Sequence, residues 1–153
     1  MSTVLLDLAP GVGWFALGLT CVVAFWRGAR PERLGAVLSV AGWIVTPLVE
    51  LRTDWYQPQL GIFAVDVLML AGFFGLALRY RRYWAICATA FQALMVMTHV
   101  GFLIDPRLLY RAYYFANFSI GFLVLGAIIG GVLIEDSDWF PRLVGLGRRR
   151  LDA

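Results

Sequence analysis

The chain has 153 residues, of which 61% are hydrophobic and only 15% charged, with a formal net charge of +3. Soluble domains carry about 25% charged residues, so a water-facing surface is excluded at this size. One lipid-embedded all-α domain is expected instead.

A helix needs about 20 mostly apolar residues to cross a bilayer core, and five segments meet that demand. The first covers about 8–26. No basic stretch precedes it, so it reads as a retained span rather than a cleaved leader. It ends at the hydrophilic RGARPER. The second, about 34–51, contains Pro47 near its far end. The third covers about 60–78 and stops at RYRRY. The fourth, about 84–104, stops at Asp105-Pro106, and the fifth, about 112–134, gives way to EDSD. The bundle thus occupies residues 1–135, and 136–153 form a cytoplasmic tail beside the membrane.

Arginines between spans set the orientation, because basic loops stay in the cytoplasm. Of the 13 basic residues, all arginine, Arg27, Arg30, Arg33, Arg79, Arg81, Arg82, Arg142, Arg148, Arg149 and Arg150 fall on one side. Arg52, Arg107 and Arg111 fall on the other. The N-terminus is therefore expected outside and the C-terminus inside a bacterial inner membrane, with the lysine-free composition hinting at a GC-rich bacterial source. Trp55, Tyr56, Tyr110, Tyr113, Tyr114, Tyr80, Tyr83 and Trp84 read as interfacial belts. This spread of arginines serves topology and does not form a phosphate-binding patch, so no nucleic-acid partner is expected. In the tail, Trp139 and Phe140 are placed to dip into headgroups. Arg148, Arg149 and Arg150 are placed to meet anionic lipid, each worth about 1 kcal/mol, or to dock a partner.

Lipid gives helices no hydrophobic drive to associate, so close packing has to hold the bundle. Small residues four apart suit that role: Gly35 with Ser39, Ala71 with Gly75, and Gly126 with Gly130. The last pair would contact either a neighbouring helix or another membrane protein, including a second copy. Cys21 and Cys87 lack ligand spacing and read as small buried packing residues. No metal site is indicated.

One run, GIFAVDVLML, places a carboxylate among apolar residues at Asp66. Counting 1.5 Å per residue, Asp66 lies roughly 9 Å below the start of its span. The same rise puts His99, the single histidine, roughly 7 Å from the end of the next span. A very short turn makes these spans antiparallel neighbours, so the two side chains share a level. Asn117, Thr46 and Glu50 belong to the same outer layer, and Gln92 lies deeper on the His99 face. A buried carboxylate costs several kcal/mol unless paired or neutralised. The layer reads either as a proton relay, ion path or ligand site, or as an interhelical clasp whose bonds are worth roughly 0.6 kcal/mol each.

No catalytic residue emerges. Ser39, Ser119 and Ser137 lack a nucleophile turn, and neither a zinc-protease helix motif nor a phosphate loop occurs. No cofactor is required, although haem on His99 with Met95 or Met97, or a quinone or pigment, defines a minor alternative. The leading expectation is a non-enzymatic accessory or structural subunit packing against a membrane partner. Its rival is a proton- or ion-coupled carrier or channel built on Asp66 and His99.

Overall fold

Five α-helices succeed one another in a computed structural model that describes residues 3–50, 60–104 and 110–135. They are α1 (Thr3–Trp26), α2 (Arg30–Val49), α3 (Leu60–Tyr80), α4 (Tyr83–Ile104) and α5 (Tyr110–Glu135). Helices α2, α3 and α4, and the Phe115–Ile134 part of α5, are long and apolar enough to cross a membrane. The Gly11–Trp26 part of α1 is a shorter apolar helix. The expectations for Arg52, Trp55, Tyr56, Trp139, Phe140, Arg148, Arg149 and Arg150 lie outside the described residues.

Each helix packs on its neighbours in sequence, and α1 returns to touch α5, so the five close into a ring. A further contact between α2 and α5 crosses that ring. Helices α3 and α4 are joined by Arg81 and Arg82, and Arg81 takes a left-handed φ of 51°. Its N–H still bonds the Ala77 carbonyl at 2.9 Å, which stops α3 and reverses the chain at once.

The RGARPER stretch is less of a loop than its polarity suggests, because α2 already begins at Arg30. Pro31 sits in the first turn, where a missing N–H removes no helix bond. Glu32 follows, placing an acidic residue at the positive end of the helix dipole.

Close packing at glycines holds the ring. Trp84, on α4, lies between two of them. A Cβ at Gly35 of α2 would stand 2.8 Å from the indole Cη2, and one at Gly131 of α5 would stand 2.8 Å from the Trp84 Cβ. Phe73 and Ile128 complete this level with no exposed surface. Trp84 is therefore a core residue rather than the interfacial anchor expected, and only its neighbour Tyr83 is exposed. Of the three small-residue spacings, only Gly35 with Ser39 faces inward. Ala71 and Gly75 are exposed, and a Cβ at Gly75, Gly126 or Gly130 would meet nothing within 4 Å. Cys21 does pack against the core, but Cys87 is exposed on the outer face of α4, contrary to the buried role expected for it.

Candidate functional site

Asp66 is the seventh residue of α3 and His99 the seventeenth of α4, counted from the helix starts. The tight turn between the helices sets them antiparallel, and the two side chains meet. Asp66 Oδ2 lies 2.7 Å from His99 Nε2. The other carboxylate oxygen accepts a bond of 3.0 Å from the Gln92 side-chain amide. Gln92 is one heptad before His99, so both project from one face of α4. Its second amide hydrogen serves the Asp66 main-chain carbonyl at 3.3 Å. Both oxygens of the buried carboxylate are thereby satisfied, which answers the desolvation cost of placing it there.

His99 continues the chain. Its Nδ1 lies 2.7 Å from the Tyr113 hydroxyl of α5. Phe63 and Tyr113 flank the imidazole, with ring centroids 5.8 and 5.3 Å away, and Phe102 stacks on Tyr113 at 5.0 Å. Tyr113, expected as an interfacial belt residue, is thus the third member of an Asp–His–Tyr chain spanning three helices. With both ring nitrogens engaged, His99 has no lone pair left for a haem iron unless Tyr113 gives way. Met97 faces outward at 57% exposure, whereas Met95 lines the interior.

The donor arithmetic of this chain defines two states. With a neutral imidazole, Nε2–H donates to Asp66 and Nδ1 accepts the Tyr113 O–H. One added proton places N–H groups on both nitrogens, so the Tyr113 oxygen becomes the acceptor and its own hydrogen is released to point elsewhere. A single proton therefore reverses the direction of the Tyr113 bond without moving a heavy atom.

Tyr113 lines a cavity of about 390 Å³ inside the ring. This is within the usual size range of small-molecule sites. Asp66, Gln92, His99, Asn117, Thr46 and Glu50 all line it, together with Trp14, Trp43 and Phe118. The polar residues play different parts there. Asn117 is tied to Thr98, whose hydroxyl is 2.6 Å from the amide oxygen. Thr46 donates back to the Gly42 carbonyl at 2.8 Å, and Glu50 closes α2 at its C-cap. Neither Thr46 nor Glu50 bonds to Asp66, so the layer is a hydrogen-bonded centre with a looser polar rim. Trp14 and Trp43 meet edge to face, 5.6 Å between centroids, where Gly13 admits the Trp43 ring.

A second buried carboxyl escaped the sequence reading. Glu32 is 2% exposed, accepts the Trp84 indole N–H at 2.7 Å through Oε1, and leaves Oε2 buried without a hydrogen-bond partner. Its place inside RGARPER disguised it as part of a solvated turn. The Trp two residues into the α4 pattern was the available signal, since a buried indole N–H needs an acceptor. Trp84→Phe should leave both Glu32 oxygens unsatisfied, at a cost of about 1–3 kcal/mol. Thermal unfolding in detergent measures this, and adding Glu32→Leu to Trp84→Phe should recover part of the loss.

Among the described residues no group of three or more His, Cys, Asp or Glu could hold a metal ion. Comparison of the chain with protein-family models, with curated proteins and with solved structures finds no match.

Proposed function

We propose that the protein is a small-molecule carrier of a bacterial inner membrane, whose cavity binds its ligand in linkage with one proton on the Asp66–His99–Tyr113 chain. The observation that carries this reading is that the Asp66–His99–Tyr113 chain, with its proton-reversible bond, lines a cavity of ligand size. A clasp needs only the paired bonds; it needs neither the cavity nor the aromatic wall. Gln92 holds the carboxylate so that the proton's effect is directed along the chain to Tyr113 rather than spent on a swinging Asp66.

Binding linked to a proton makes affinity pH-dependent, whichever state the ligand prefers. The test has two stages. Organic extraction of purified protein, followed by mass spectrometry, should recover a molecule that Gly121→Leu, which adds bulk to the cavity lining where a Cβ has room, excludes. Uptake into proteoliposomes should then depend on an imposed pH gradient in the native chain and lose that dependence in Tyr113→Phe. Uptake indifferent to the gradient in both would overturn the reading.

The outward faces of Gly126 and Gly130 support a second reading, in which the protein packs against another membrane protein or a second copy as an accessory subunit. A smooth helix face open at both positions admits close approach by a foreign helix. Mild-detergent purification with identification of co-purifying chains tests it.

In either reading the N-terminus lies outside and the tail in the cytoplasm, with α1 as a fifth span. The bias of ten arginines against three supports this orientation. A reporter fused after Ala153 should be active only in its cytoplasmic form, and periplasmic activity would invert the bundle.

A further inference from the structure

We infer that the cavity takes a lipophilic organic cation, which exchanges for the proton held on the Asp66–His99 pair; this rests on the carrier reading above. Among the described residues two carboxylates, Asp66 and Glu50, line the cavity, with His99 as the one ionisable base and no arginine beside them. Among these residues acidic groups outnumber the basic one by two to one. An anionic ligand would add a further like charge in a low-dielectric wall, where repulsion is strongest. A cation instead completes the balance.

The walls fit the same class. Trp14, Trp43, Tyr113 and Phe118 supply ring faces and edges around the acidic groups, and Val65, Met69 and Leu125 supply apolar surface. Aromatic rings beside carboxylates are the surroundings that stabilise quaternary and aryl-substituted ammonium groups after they leave water. A neutral ligand would use the apolar surface but would leave the excess acid uncompensated.

Exchange follows from proximity. Among the described residues the titratable groups facing His99 are Asp66 from α3 and Tyr113 from α5, with Glu50 of α2 across the cavity and none from α1. A ligand charge about 6 Å from the imidazolium, at an effective dielectric constant of roughly 20, disfavours joint occupancy on the order of a hundredfold. The cation therefore binds the neutral imidazole form, and the proton leaves from Nδ1. Tyr113 then turns its O–H back to that nitrogen.

The test uses the full chain in nanodiscs of uncharged lipid, with tryptophan fluorescence and thermal stability as readouts. Three probes are compared: benzyltrimethylammonium, its neutral isostere neopentylbenzene, and benzenesulfonate. The cation should bind at least tenfold more tightly than the isostere, and the sulfonate should not bind. A dye in weak buffer should report proton release on cation binding. Glu50→Gln, which breaks no bond to the Asp66 centre, should weaken the cation alone by about tenfold while the melting temperature without ligand stays unchanged. Equal binding of cation and isostere overturns the charge assignment but leaves a carrier of neutral molecules intact. Cation binding without proton release at any pH overturns the exchange. Failure of all three probes also overturns the cation assignment, and the extraction and uptake assays then judge the carrier reading separately.

Discussion

Asp66→Leu and His99→Leu, made singly, are each expected to cost about 3–5 kcal/mol of bundle stability, because each strands a buried polar partner. The contact is 2.7 Å, and the residues are only 9% and 4% exposed. The two losses should not add. In Asp66→Leu/His99→Leu the apolar side chains face one another, and replacing a buried pair as a whole is often nearly neutral. Gln92 and Tyr113 then each lose a partner, which keeps the double variant somewhat below the native chain. A double-mutant cycle on thermal or denaturant unfolding in detergent should give a coupling of at least about 1 kcal/mol. Coupling near zero would mean that the contact contributes nothing. The same double variant separates stability from activity: a folded bundle that no longer carries its ligand assigns the pair to transport, and one that still carries it assigns the pair to holding helices together.

Gly131→Leu and Gly126→Leu add the same side chain to the same helix and should give opposite results. At Gly131 even a Cβ would stand 2.8 Å from the Trp84 Cβ and still nearer the indole. That end of the side chain has no rotamer by which to withdraw, so α5 must move away from α4. Overpacking of this kind typically costs about 1–3 kcal/mol, and the leucine should reach or exceed the upper value. At Gly126 a Cβ meets nothing within 4 Å. There the loss of glycine gains about 0.8–1.0 kcal/mol of helix propensity, and the variant should match or exceed the native chain in unfolding temperature. A comparable loss at both sites would place Gly126 in an interface between chains, and its concentration dependence would reveal that directly.

How much of this was legible beforehand depended on whether a signal was local. The all-helical architecture followed from run length, and the Asp66–His99 level followed from helix rise once a two-residue turn joined the spans. Gln92 was legible by its heptad distance from His99. Tyr113 was not, since an aromatic near a span end reads as an interfacial residue and only the docking of α5 brings it to the imidazole. Trp84 and Glu32 failed for the same reason in mirror image: one looked like an anchor and the other like a loop charge. Each hides the other's polarity, and neither half of such a pair is visible alone. The glycines show the limit most plainly. GxxxG at Gly126 and Gly130 is the familiar spacing, yet the closest approaches between helices fall at Gly131, Gly13 and Gly72, chosen by where a Trp or Leu from another helix arrives.

The notch around Trp84 has a consequence for how this chain can change over generations. Gly35, Trp84, Gly131 and Glu32 come from three helices and occupy one volume, so none is free to drift alone. A smaller residue at 84 would open space that alanine at 35 or 131 could fill, and it would remove the donor that makes an acid at 32 tolerable. Related sequences should therefore show two sets at these positions, glycine–tryptophan–glycine with an acid or alanine–aliphatic–alanine without one, and few mixtures. Gly126 and Gly130, which meet nothing within the chain, should vary independently of both sets.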